Sequence, residues 1–176
     1  MRLQLPWTLA FLAWASATPA DALPAAGTGL NVPIVRQAPE RCGQAALEMV
    51  LRYYGADARS LREGDRAYDP ALRGSLITDL AAAARRAGYE AEIATLTPDA
   101  LIALLAAGVP PVVLYQNGPT LLTVPHFGVV TGWDPARERF TLNDGGARPR
   151  IVRLGDLSKR WRTAGSQALI VRRRAP

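Results

Sequence analysis

The segment QAPERCGQAALEMVLRYYG, residues 37–55, places the only cysteine of the chain, Cys42, where a helix is predicted to begin. Apolar side chains recur at helical spacing after it, and others occupy most of the remaining faces, so we expect a largely buried helix from Cys42 to Tyr54. The apolar stripe comprises Ala46, Met49, Val50 and Tyr53. Gly55 stands where helices commonly end. The thiol is therefore expected in the first turn of a buried helix.

That position favours thiol chemistry. Unpaired backbone N–H groups and the helix dipole stabilise a negative charge at a helix start. Such cysteines have pKa values lowered from about 8.5 to roughly 3.5–7.5. Gly43 is expected to leave room for a substrate backbone. The alternative interpretation is a small, inert, buried cysteine.

A thiolate catalyst needs a proton shuttle, and His126 is the only histidine in the chain. It follows Pro125 at the start of a predicted strand and is the only possible imidazole partner of Cys42. A structural or surface histidine is the alternative. A third group must orient the imidazole. Either Asn143 or Asp144 could do so, because both end the returning strand and a one-residue slip in register exchanges them.

An oxyanion forms when a thiolate attacks a carbonyl, and it needs hydrogen-bond donors. The backbone N–H of Cys42 is one candidate, and the side-chain amide of Gln37 on the incoming segment is another. Gln44 lies on the helix and is less well placed to reach the sulfur. Taken alone, Gln37 is weak evidence for this role, because an ordinary surface glutamine is the common case.

Composition limits the other functional classes. The formal net charge is +6, and nearly all basic residues are arginine. This charge is compatible with nucleic acid, anionic envelope polymers or acidic substrates. No nucleic-acid-binding motif is present, so no nucleic-acid partner is expected. One cysteine and one histidine are too few for a typical zinc site, and we expect neither a metal nor an organic cofactor.

The amino terminus predicts export from a bacterial cytoplasm, to the periplasm or beyond. Residues 1–22 have a positive start, a short apolar stretch and small residues at possible cleavage sites, which together indicate a signal peptide. A retained membrane anchor is the alternative. Residues 23–31 are expected to form a linker and residues 32–176 one domain, with no stable membrane span after signal removal.

Two further helices and several strands follow. Residues 75–88 and 97–108 are predicted helices, with Ser75 and Thr97 as their N-caps. Residues 56–74 are expected to be a loop. The predicted strands are residues 89–94, 109–115, 126–133, 139–143, 150–154 and 167–171, with a helical turn at 157–161. Helices followed by antiparallel strands indicate an α+β fold.

The segment 37–55 resembles the nucleophile segment of papain-like cysteine peptidases that process bacteriocin leaders at double-glycine sites. PHFGVVTGWDPARERFTLNDGG, residues 125–146, resembles their second signature, and GSLITDLAAAARRAGYEA, residues 74–91, resembles their intervening helix. The resemblance implies a papain-like cysteine peptidase fold, with N-terminal helices packed on a C-terminal antiparallel sheet. It implies that Gln37 is the oxyanion donor, Cys42 the nucleophile and His126 the general acid/base. It favours Asp144 over Asn143 as the residue that orients the imidazole. The family usually has Asp-Pro where this chain has Asp144-Gly145.

We therefore expect an exported thiol peptidase acting on a peptide or protein substrate. A thiol amidase or transpeptidase acting on cell-wall peptides would use the same four residues. A peptide-binding module on an inactive peptidase scaffold is the alternative from another class. The sequence leaves the oligomeric state open.

Overall fold

The computed structural model describes residues 27–119 and 122–174. The predicted signal peptide, residues 1–22, lies outside this part of the chain. Five α-helices are present in it: α1 (Cys42–Tyr53), α2 (Ala58–Glu63), α3 (Ile77–Arg86), α4 (Pro98–Ala106) and α5 (Leu154–Thr163). The seven strands are β1 (Thr28–Gly29), β2 (Tyr89–Thr95), β3 (Val112–Asn117), β4 (Val124–Asp134), β5 (Arg139–Asn143), β6 (Arg150–Arg153) and β7 (Gln167–Arg173).

These strands form one antiparallel sheet in the order β2-β7-β3-β4-β5-β6, and β1 pairs separately with β4. The last strand therefore lies in the interior of the sheet, between β2 and β3. The hairpin formed by β4 and β5 contains a register shift between Val130 and Gly132. The α+β arrangement predicted from the sequence is confirmed.

Two hydrophobic cores cover opposite faces of the sheet. The first is formed by α1 and α3 with strand residues such as Val112 and Val129. The second is formed by α4 and α5 with neighbouring strand residues such as Val113 and Val130. Successive side chains of a strand point to opposite faces, so the alternating Val pairs separate the two cores. The sheet is therefore buried on both sides, with α1 on the first.

The structure differs from the sequence-based expectations in two connecting segments. The expected linker, residues 23–31, is part of the sheet from Thr28, which pairs with Trp133, and the Leu30 N–H donates to the Thr131 carbonyl at 2.7 Å. The expected loop 56–74 contains α2 and a 3₁₀ turn at Gly64–Ala67. The Asp57 carboxylate caps α2 by accepting from the Ser60 N–H at 2.8 Å, a local signal that explains this helix.

Ser75 is not the N-cap of its helix. The N-cap of α3 is Leu76, which provides no side-chain hydrogen bond, and Ser75 lies one residue earlier. The second expected cap is confirmed, because the Thr97 hydroxyl accepts from the Ala100 N–H at 3.2 Å. The predicted turn at 157–161 is the middle of the longer α5. No helix in the described ranges is long and apolar enough to cross a membrane.

Candidate active site

Cys42 is the first residue of α1, as the sequence predicted. The preceding N-cap residue, Arg41, offers no side-chain hydrogen bond, and the first turn contains no acidic residue. The N–H groups of this turn are therefore not neutralised by a side chain of their own helix, and they favour negative charge on the sulfur. The Gly43 and Phe127 backbones both act in this direction, because hydrogen bonds from them lower the pKa of the Cys42 thiol.

Gly43 serves packing rather than substrate access, which corrects the expectation made from the sequence. A Cβ at this position would lie 3.0 Å from the Ser75 Cβ and 3.2 Å from the Leu80 Cδ1. Glycine therefore lets the segment before α3 approach the start of α1. This contact brings Ser75 to the wall of the site.

His126 lies near the start of β4, directly opposite Tyr115 of β3. The two rings pack edge to face, with centroids 5.5 Å apart and planes at 84°. The Nε2 atom of His126 lies 3.0 Å from the backbone carbonyl oxygen of Asp144. A carbonyl only accepts, so Nε2 carries the proton in this contact and Nδ1 remains for exchange with the thiol.

The Cys42 thiol and the His126 imidazole shift each other's pKa. Burial alone raises the pKa of Cys42, but the hydrogen bond with His126 and the backbone donors outweigh burial, and the pKa is lowered. Burial alone lowers the pKa of His126, but the interactions with Cys42 and Asp144 outweigh it, and the pKa is raised. Opposite shifts of this kind favour a thiolate beside an imidazolium.

The structure places Asp144, rather than Asn143, beside His126, but the contact differs from the expected one. The imidazole meets the main-chain carbonyl of Asp144, whereas its carboxylate lies 3.5 Å from the guanidinium of Arg150. Asn143 is buried and donates to the Val32 carbonyl at 3.1 Å. It lies opposite Val129, on the side of the first core. The main-chain carbonyl of Asp144 therefore meets the ring, while its carboxylate forms an ion pair with Arg150.

Gln37 lies against the loop after Asp144. Its N–H donates to the Gly145 carbonyl at 3.1 Å, and its side chain occupies the space that a Cβ on Gly145 would need, 2.8 Å from the Gln37 Cδ. Gly145 also has a φ of +83°, which other residues rarely adopt. The Gln37 Oε1 atom is buried without a hydrogen-bond partner in the described structure. Gln44 is buried in α1 and does not line this site.

Gln37, Cys42 and His126 line one cleft of about 840 Å³. Asp144 lies behind the imidazole and is not part of the wall. Much of the wall is apolar, and three of its side chains are also exposed to solvent: Leu72, Leu76 and Val124. The cleft can therefore accept an uncharged, partly apolar chain segment next to the sulfur.

The polar part of this wall was not predicted from the sequence. Arg73 donates from Nε to the Glu40 carboxylate at 2.7 Å, and the Tyr68 hydroxyl donates to the same carboxylate at 3.0 Å. The Arg41 guanidinium lies 4.2 Å from the centre of the Tyr68 ring. These contacts attach the loop after α2 to the approach to Cys42. These contacts join a loop to a turn that is distant in the sequence. Such contacts leave no periodic pattern from which they could be predicted.

Metal ligands are sparse near this site. Within residues 27–119 and 122–174, no group of three or more His, Cys, Asp or Glu side chains is arranged to hold a metal ion.

A family model described as the Peptidase_C39 like family matches residues 29–169, which include the cleft and nearly all of the sheet. The chain belongs to this family. The family and the fold identify a C39-like cysteine peptidase with a papain-like arrangement of helices on an antiparallel sheet. No curated protein matches the chain.

Solved structures of C39 domains share this fold. A double-glycine-motif protease from an AMS/PCAT transporter, in complex with its leader peptide, is 22% identical, with a TM-score of 0.64, and the match covers 84% of this chain and 95% of that one. A putative C39-like peptidase from Bacillus anthracis is 18% identical, with a TM-score of 0.67 and coverage of 85% and 99%. The peptidase domain of Streptococcus ComA is 18% identical, with a TM-score of 0.64 and coverage of 80% and 98%.

Proposed function

We propose that this C39-like protein is an exported thiol peptidase in which Cys42 is the nucleophile and His126 the general acid and base. The observation that carries the proposal is the pairing of these two side chains in one cleft, with the pKa of the thiol lowered and that of the imidazole raised. A buried, inert cysteine would not need a helix start, an imidazole partner and an open cleft together.

The chemistry follows from this pair. The Cys42 thiolate attacks the carbonyl carbon of a peptide bond and forms a tetrahedral intermediate. The His126 imidazolium gives its proton to the leaving amine as the C–N bond breaks, which leaves a thioester. The neutral imidazole then takes a proton from water, which attacks the thioester. The C–S bond then breaks, the carboxylic acid leaves, and the Cys42 thiolate is restored beside the His126 imidazolium.

The oxyanion of the intermediate needs donors next to the sulfur. Two are proposed: the backbone N–H groups at the start of α1 and the side-chain amide of Gln37. The absence of a side-chain cap on α1 and the position of Gln37 on the cleft wall support this assignment. Asp144 is proposed to orient the imidazole through its main-chain carbonyl, since that atom is 3.0 Å from Nε2.

A peptide is the proposed substrate. The structural relative from the AMS/PCAT transporter binds a leader peptide, and the apolar walls of the present cleft suit an extended peptide with small or apolar side chains. Export is proposed from the amino-terminal sequence alone. Fractionation of cells, with sequencing of the amino terminus of the recovered protein, tests it; the uncleaved protein in the cytoplasm would contradict it.

Peptidase activity is tested on a mixture of unstructured casein-derived peptides, with new termini identified by mass spectrometry. We expect Cys42→Ala to abolish the new termini and His126→Ala to lower kcat by about 10²–10⁴-fold. Gln37→Ala should lower kcat by about 10²–10³-fold, the usual effect of losing one oxyanion donor.

Gln44→Ala is the matched control for Gln37→Ala. Both substitutions remove an amide close in sequence to Cys42, but only Gln37 lines the cleft. We expect Gln44→Ala to keep kcat within about threefold. Equal losses in the two variants would overturn the role of Gln37, and cleavage that persists in Cys42→Ala would overturn the proposed function itself.

A further inference from the structure

The edge strand β6 leaves backbone hydrogen-bonding groups unpaired. The Leu154 N–H donates to the Glu138 carbonyl at 2.9 Å, and Arg153 lies directly opposite Arg139. Hydrogen-bonded and non-bonded positions alternate along an antiparallel pair. Positions 150 and 152 of β6 therefore bond to β5, whereas the backbone of Ile151 and the N–H of Arg153 point away from the sheet.

The opposite edge of the sheet is protected. There, the Arg85 guanidinium donates to the Ala91 carbonyl of β2 from both Nε (3.1 Å) and Nη2 (2.6 Å). In the part of the chain that the structure describes, no side chain bonds to the outward groups of Ile151 or Arg153. Unprotected edges are the positions at which an additional strand can pair.

Positive charge surrounds this open edge. A cavity of about 400 Å³ is lined by β6 itself and by Arg139 and Arg160, and Asp156 is the only acidic residue in its wall. Arg139 and Arg153 are directly opposite each other, an arrangement of like charges that destabilises a strand pair. Among the described residues, neither has a carboxylate within ion-pair distance.

We propose that β6 is a docking site for an extended acidic peptide segment, which adds to the sheet as a further strand. Its backbone would pair with Ile151 and with the Arg153 N–H, and its carboxylates would meet the guanidinium groups of Arg139 and Arg153. The Ile151 side chain, 57% exposed, provides an apolar contact next to Arg153 along the strand.

The backbone pattern favours a peptide over other anions. A phosphate chain or a free phosphate satisfies the arginines but offers no N–H groups for the outward carbonyl of Ile151. An extended peptide offers donors and acceptors at the spacing of a strand. The site is also distinct from the catalytic cleft, because β6 contributes no residue to the cleft wall. Docking is therefore measurable without peptidase activity.

Binding is measured by fluorescence anisotropy on the full chain carrying Cys42→Ala, so that the probe is not cleaved. The probe is a capped peptide of alternating Glu and Val. We expect saturable binding, weakened about tenfold or more when Lys replaces Glu in the probe. A probe with N-methyl groups on alternate residues, along the edge that would face β6, keeps the charges and loses backbone pairing, and it should also bind about tenfold more weakly.

Substitutions in the protein, rather than in the probe, test the same backbone and charge contacts. Ile151→Pro removes the outward N–H, which an edge strand tolerates, and Ile151→Ala is its matched control because it keeps the N–H. We expect Ile151→Pro to lose at least about tenfold in affinity and Ile151→Ala about threefold or less. The double change Arg139→Glu and Arg153→Glu should reverse the preference and favour the Lys probe.

Several results would overturn the proposal. Equal binding of the Glu and Lys probes would exclude charge recognition. Equal binding of methylated and unmethylated probes would exclude strand addition, and full competition by inorganic polyphosphate with no effect of methylation would indicate a simple anion site. If circular dichroism shows that Ile151→Pro does not fold, the methylated probe still tests backbone pairing, because it is measured on a protein with an unaltered β6.

Discussion

Cys42 carries a thiol on which burial and hydrogen bonding act in opposite directions. Burial raises its pKa, and the bonds from His126 and from backbone N–H groups lower it further than burial raises it. Local sequence predicted the helix start but not this balance, because the imidazole comes from a strand far along the chain. His126 could be predicted as the partner from the sequence for a simple reason: the chain contains one cysteine and one histidine.

The choice between Asn143 and Asp144 shows what the residues alone could not decide. Adjacent residues of a strand face opposite sides, so the answer depends on a register that long-range pairing sets. The structure directs Asn143 to the Val32 carbonyl and brings Asp144 to His126. Register alone also does not show that the main-chain carbonyl of Asp144 makes this contact while its carboxylate pairs with Arg150.

Gly145 is expected to be essential for activity. In Gly145→Ala the new Cβ would overlap the Gln37 side chain, and the φ of +83° is unfavourable for alanine. We expect Gln37 to be displaced and kcat to fall by about 10²-fold or more, as for loss of an oxyanion donor. Steady-state kinetics on a cleaved peptide, with circular dichroism to check folding, measures this.

Gly146→Ala is the matched control. Its Cβ would meet only the Asp144 Oδ1 at 3.4 Å and the Arg148 carbonyl at 3.7 Å, both ordinary or nearly ordinary contacts. Activity close to that of the unaltered protein is expected. If Gly145→Ala were as active as Gly146→Ala, the position of Gln37 would be irrelevant to catalysis.

Helices and strands were well predicted where local signals agree. Residues 97–108 carry a threonine cap, a proline in the first turn and a terminal glycine, and the helix α4 forms there. Ser75 resembles an equally good cap, but its hydroxyl is buried without a partner in the described structure. Packing against Gly43 decides its position, and tertiary contacts of this kind leave no local sequence pattern.

We expect substitutions of Thr97 and Ser75 to change the free energy of unfolding by different amounts. Thr97→Ala removes the hydrogen bond to the Ala100 N–H and should lower the free energy of unfolding by about 1 kcal/mol. Ser75→Ala removes no hydrogen bond and should change it by less than about 0.5 kcal/mol. Urea denaturation followed by circular dichroism compares them. A larger loss in Ser75→Ala would show that this serine caps α3 after all.

At the scale of the whole molecule, one sheet joins two cores. The strand order was not predictable, because β7 pairs with both β2 and β3 across large sequence separations. Periodicity indicates that a strand exists but not its neighbours. The consequence is that helices on opposite faces share the same strands, so neither core is complete without the sheet.

We therefore expect the two cores to unfold together. Leu47 belongs to the first core, whereas Trp133 and Trp161 belong to the second and report its state by fluorescence. Leu47→Ala should cost about 2–5 kcal/mol through loss of buried area and the cavity that remains. Circular dichroism and tryptophan fluorescence should show the same lowered midpoint. A fluorescence midpoint left unchanged would mean that the second core is independently stable.

The pH dependence of Cys42 alkylation by iodoacetamide tests the thiolate–imidazolium pair most directly. Because the pKa of the thiol is lowered and that of the imidazole raised, the ion pair exists between the two values, and labelling is lost only as the pH falls through the lowered thiol pKa. We expect rapid labelling well below the usual thiol pKa of about 8.5, with a shift to higher pH in His126→Ala. A single transition near that usual value, identical in both proteins, would contradict the pairing of Cys42 with His126.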